Sequence, residues 1–176
     1  MKKRIALMLA AALVITSIAG CTAADKQSSS QDGGDTSVAQ VAVDEDLANI
    51  ITEASEIGEG TAGVSLKRTK IAHDIAVLAA NRGYADGSVQ ELKKTFEAVV
   101  EPMDEEHHAN LDATFMDGVI ALLDKAIDAD DYDSVKGQFE DAGVADDMDT
   151  ILKAPGLKES YGQIRAAYLT MGNSEN

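Results

Sequence analysis

The sequence predicts an all-α domain, a single bundle of about five to seven helices over residues 43–173, preceded by a leader and a flexible tether. Three observations lead there. Apolar residues recur at steps of three and four from Val43 almost to the end of the chain. Glycine, proline and acidic first turns punctuate that pattern at helix length. With 4% aromatic residues and no tryptophan, no run of alternating apolar and polar residues reads as a strand, and no internal repeat is present. About 130 residues suffice to bury one core.

Taken in order, Val43, Leu47, Ile50, Ala54 and Ile57 form the first stripe. Asp44, Glu45 and Asp46 stand in its first turn, where the helix dipole favours anions, and Gly58 to Gly60 end it. The second helix runs from Val64 to Arg82 on Ile71, Ile75 and Leu78, with Gly83 placed as its stop. Ser88 and Glu91 have capping-box spacing and open a third helix with Val89, Leu92, Phe96, Val99 and Met103 on one side, interrupted at Pro102. A long fourth helix covers Met103 to Asp128. Plotted at about 100° per residue from Leu111, its residues Phe115, Met116, Val119, Ile120, Leu122, Leu123 and Ile127 fill about 180°, an arc wide enough for a central helix with several neighbours. Short helices follow at Ser134–Asp141, stopped by Gly143, and Asp147–Ala154, stopped by Pro155. The last carries Leu157, Tyr161, Ile164, Tyr168 and Met171.

Ahead of the domain, Lys2, Lys3 and Arg4 precede an apolar run from Ile5 to Ile18. The 16 residues from Ile5 to Gly20 span about 24 Å as a helix, short of a hydrocarbon core of about 30 Å, so they read as the apolar region of an export signal. The end of that region, Ile18-Ala19-Gly20-Cys21, resembles the lipobox of bacterial lipoproteins. The resemblance implies cleavage after Gly20, lipidation of the Cys21 thiol, and a protein anchored by lipid to the outer face of the cytoplasmic membrane, or to the outer membrane of a two-membrane envelope. Ile18 stands where leucine is commoner. Cys21 is the single cysteine of the chain, so an internal disulfide is impossible. The resemblance covers residues 1–20 as signal and 21–42 as lipidated cysteine and tether. Ser28-Ser29-Ser30 and Gly33-Gly34 mark the tether as flexible, with a span of about 25 Å.

Charge excludes one class of partner. The formal net charge is −16, and without Lys2, Lys3 and Arg4 the remainder carries 31 acidic against 12 basic residues, a net of −19. Nucleic acid is repelled by such a chain. From Asp104 to Asp149 there are 15 acidic residues against Lys125 and Lys136, a net of −13, with Asp128, Asp130, Asp131 and Asp133 most closely spaced. A calcium loop begun at Asp128 fails the EF-hand pattern: position 5 is Tyr132, position 6 is Asp133 in place of glycine, and position 12 is Phe139.

The plotted arc on the fourth helix contains a polar set, Glu105, His108 and Asp112, predicted to share a buried face. These residue types bind divalent cations, and Glu105-x-x-His108 has the spacing of carboxylate-bridged diiron helices. The second such motif is missing, because Lys70 stands three residues before His73. A mononuclear site with His73 as a further ligand is the alternative to ordinary packing roles, namely an interhelical hydrogen bond or a His108–Asp112 pair. His107 and the acids before it read as a solvated first turn.

No G-x-S-x-G motif or glycine-rich phosphate loop is present, and the thiol is assigned to lipid. The expected function is therefore a lipid-anchored interaction or envelope-assembly module that meets a protein partner through an acidic face and needs no cofactor. A divalent-cation-binding lipoprotein using His73, Glu105, His108 and Asp112 is the rival, and an exported enzyme without a local motif is third.

Overall fold

The computed structural model describes residues 43–171. The leader, Cys21 and the tether lie outside the described residues. Within them the chain is helical and contains no strand, as expected. The helices are α1 (Glu45–Ser55), α2 (Val64–Arg82), α3 (Val89–Val100), α4 (Glu105–Ala113), α5 (Ala121–Leu123), α6 (Lys136–Asp141), α7 (Ala145–Ile151) and α8 (Leu157–Met171). Two π-helical segments, Thr114–Ile120 and Asp124–Asp128, flank α5, and a 3-10 turn covers Tyr132–Ser134.

Local chemistry sets most boundaries. The Asp44 carboxylate accepts from the backbone N–H of Asp46 and Leu47 and starts α1. Gly83 adopts φ 58°, a left-handed geometry that ends α2 at no steric cost. Ser88 departs from expectation. It already has helical φ and ψ, and its side chain caps nothing, because the Ala85–Ser88 turn leads straight into α3.

Helix α2 is the spine, packing against α1, α8, α6, α7 and the first π-helical segment, while α3 lies along α8. The core joins Leu47 and Ile51 of α1, Ile71 and Ile75 of α2, Leu92 and Phe96 of α3, and Tyr161 and Ile164 of α8. The start of α1 is held at the end of α2: Arg82 pairs with Asp46 and lies 3.6 Å from Asp44, and the Tyr84 hydroxyl donates to Asp44 at 2.5 Å. Ser160 links α8 to the same end. Its buried hydroxyl donates to the Ala79 carbonyl at 2.6 Å and accepts from the Tyr84 N–H at 3.0 Å.

The long fourth helix corrects the sequence reading. It is continuous in path, but it alternates between α and π winding. Leu111, Phe115, Val119, Leu123 and Ile127 recur at steps of four, and all five are buried. In an unbroken α-helix each such step drifts by about 40°, so plotted at α pitch the stripe smears over an arc of about 160°. The π segments take more residues per turn and cancel that drift, keeping the stripe on one side. The face it buries is nonetheless broad, since Ile120, Leu122 and Ala126 are buried beside that stripe, as expected of a helix with several neighbours. Asp112 and Met116, which fell inside the drawn arc, are exposed, as are Glu105 and His108. The expected buried polar face does not form.

Candidate functional site

The acidic stretch occupies the surface. Of the acids between Asp104 and Asp149, all but Asp124 and Asp149 are exposed. Asp128, Asp130, Asp131 and Asp133 lie where the second π segment ends and the chain turns into the 3-10 helix. That turn is built by backbone bonds, Ala129 N–H to the Asp124 carbonyl and Asp131 N–H to the Lys125 carbonyl, each 2.8 Å. It places Asp130 at φ 53°, a left-handed geometry that aspartate tolerates better than most residues. The Lys158 ammonium donates to the Asp128 backbone carbonyl at 2.7 Å and lies 3.5 Å from its carboxylate. A groove of about 520 Å³ runs beside the cluster, with Ile127, Leu152 and Leu157 among its walls and Asp130 and Lys158 at its edge. Of the two lysines in the stretch, Lys136 lies 3.1 Å from Asp149.

The four residues considered for a cation are used differently. Glu105 and His108 stand exposed on α4. Asp112 accepts the Tyr168 hydroxyl at 2.6 Å. His73 sits between α2 and α7, with Asp74 at 3.1 Å from Nδ1 and Asp147 at 3.8 Å from Nε2. Among the described residues no three His, Cys, Asp or Glu side chains are grouped to hold a metal ion, and no ligand role is assigned to any of the four.

Three acids bind tyrosines, pairings invisible in the chain itself because the partners are 37 to 56 positions apart. Tyr161 donates to Asp124 at 2.6 Å, and the same carboxylate lies 3.0 Å from the Arg165 Nε. Burial first, and then the acceptor carboxylate, raises the Tyr84, Tyr161 and Tyr168 hydroxyls well above the ordinary tyrosine range. They stay protonated donors. Spending three carboxylates on tyrosines makes these acids part of the scaffold, whereas Asp128, Asp130, Asp131 and Asp133 stand exposed, with Asp128 beside Lys158.

The first turn of α4 holds the remaining histidine feature. Asp104 caps the helix by accepting the His107 N–H at 2.9 Å, and its carboxylate lies 2.6 Å from the His107 ring Nδ1. That hydrogen bond and the Asp104 charge raise the His107 ring above its ordinary 6.5, while the His107 backbone N–H and then its ring lower Asp104 below 3.8. The histidine contribution is complete below 6.5 and fades as pH rises through the raised value; the aspartate contribution is complete above 3.8 and fades as pH falls through the lowered one. Amide-exchange protection at the start of α4 is therefore expected to be greatest between these values and to fall at alkaline pH. His107→Ala should flatten the alkaline side. A wild-type profile retained by that variant would show that the ring does not support the cap.

No helix among the described residues is long and apolar enough to cross a membrane. Comparison with protein families, curated proteins and solved structures gave no match to this chain.

Proposed function

We propose that the protein is a lipid-anchored extracytoplasmic module whose acidic surface engages a protein partner carrying positive charge. The observation that carries this reading is the exposure of nearly the whole acidic stretch with only Lys125 and Lys136 inside it. Like charges gathered on one domain oppose folding, and a complementary partner relieves that repulsion while speeding encounter. Anchoring rests on the lipobox resemblance at Ile18 to Cys21. A diacylated cysteine gives stable membrane attachment without a spanning helix.

Two variants test the two halves. Cys21→Ser is expected to release the chain from the membrane fraction or to leave the precursor uncleaved; a variant still processed and lipidated overturns the anchoring. For the partner, crosslinking on intact cells is expected to recover one defined protein. Replacing Asp128, Asp130, Asp131 and Asp133 together by lysine should lower that recovery about tenfold or more, as should raising the salt severalfold. Equal recovery from the variant would mean that the cluster serves solvation alone.

A further inference from the structure

We propose that the groove beside Asp130 receives an apolar side chain of leucine size from a partner segment that carries lysine or arginine on either side of it. The proposal rests on the reading that the acidic surface meets a positively charged protein, and adds what that protein must present. The groove measures about 520 Å³, within the range of about 300–1,000 Å³ common for ligand pockets. Ala126 and Ile127 of the second π segment line it together with Leu157, the first residue of α8. All three are buried, so they form a fixed apolar floor that belongs to the core. Leu152 and Ala154, both half-buried on the link from α7 to α8, complete the apolar lining. The polar lining is charged. Asp130 and Glu159 are exposed, and the Lys158 ammonium is drawn onto the Asp128 carbonyl at 2.7 Å.

Charge decides among the occupants. Asp128, Asp131 and Asp133 flank Asp130 along the chain, and all are exposed. Against these acids and Glu159 stand Lys158, already beside Asp128, and Lys153, exposed on the link from α7 to α8. A second copy would set this acidic rim against another acidic chain of net −19, and an anionic lipid surface is repelled in the same way. Residues 22–42 of the chain itself carry Asp25, Asp32 and Asp35 against Lys26, so they bring no compensating charge. A basic segment with one apolar side chain suits both parts of the site. Its ammonium or guanidinium groups meet the rim carboxylates, while the apolar side chain leaves water for the groove. Exposed ion pairs contribute little each and are screened by salt, so they guide approach and register. Burial of the apolar side chain supplies the part of the affinity that salt leaves in place.

The test compares two end-blocked, fluorescently labelled peptides, Lys-Lys-Leu-Lys-Lys and Lys-Lys-Ser-Lys-Lys, titrated with the full chain in nonionic detergent micelles and followed by anisotropy. Wild type is expected to bind the leucine peptide about tenfold more tightly than the serine peptide, the scale set by burying one leucine side chain. Ala154→Phe, which fills the groove, and Leu152→Ser, which removes part of its apolar lining, should each lower that ratio to less than about twofold. Both variants keep every acid, so their affinity for the serine peptide should match that of wild type. A ratio near one in wild type, or a wild-type ratio preserved in either variant, overturns the groove as the docking site. Salt-sensitive binding of both peptides would then leave the acidic surface standing as a partner site. Binding of neither peptide overturns that reading and the groove together.

Discussion

Replacing Phe96 by alanine is expected to destabilise the domain by about 3–5 kcal/mol, the largest effect of any single core substitution considered. Phe96 is fully buried in α3, with its ring edge-on to Phe115 at 5.6 Å and an interplanar angle of 82°. It also lies 5.6 Å from Tyr168, which stacks on Phe115 at 4.6 Å. The three rings come from α3, the first π segment and α8, so the cavity opens where three elements meet and none alone can close it. Two aromatic contacts are lost together with the buried area. In thermal unfolding the midpoint should fall by on the order of 10 °C or more. A shift of only a few degrees would show that α8 moves in to fill the space.

Gly118→Ala supplies the second large effect, and its sign separates local preference from packing. In an exposed helix the change would stabilise by about 1 kcal/mol, because alanine is the better helix former. Gly118 is buried in the first π segment, and a Cβ there would stand 2.8 Å from the Arg68 Cβ and 3.3 Å from its Cγ. The nearest atom is the root of the arginine side chain, fixed to the α2 backbone, so rotamer change gives no relief and the two helices must separate. A loss of about 1–3 kcal/mol is expected, measured as a lower denaturant midpoint at unchanged slope. Stabilisation would mean that the helices part readily.

The same neighbourhood explains what was legible beforehand. The apolar residues of α1, α2, α3 and α8 were readable because each helix keeps one winding, so a step of three or four in sequence is a constant angle in space. On α8, Leu157, Tyr161, Ile164 and Tyr168 are buried as their spacing requires. Between Met103 and Asp128 the winding switches three times, and a single angle per residue misplaced Glu105, His108 and Asp112 into the core. A signal did exist: five apolar residues at exact steps of four, from Leu111 to Ile127, fit a helix wound more loosely than α.

The candidate surface divides in the same way. Its acidity and location along the chain were plain in the sequence. The partners of individual acids were not, because Asp112 meets Tyr168, Asp124 meets Tyr161 and Asp147 approaches His73 across helix interfaces.

By itself the sequence determined the helical class, the charge imbalance, the glycine stops and the resemblance at Cys21, all properties carried by neighbouring residues. Tertiary structure decided which acids are spent on tyrosines, why Gly118 admits no side chain, and that His73 stands between two carboxylates. Those outcomes depend on distances between helices, and a chain read one turn at a time contains no measure of them.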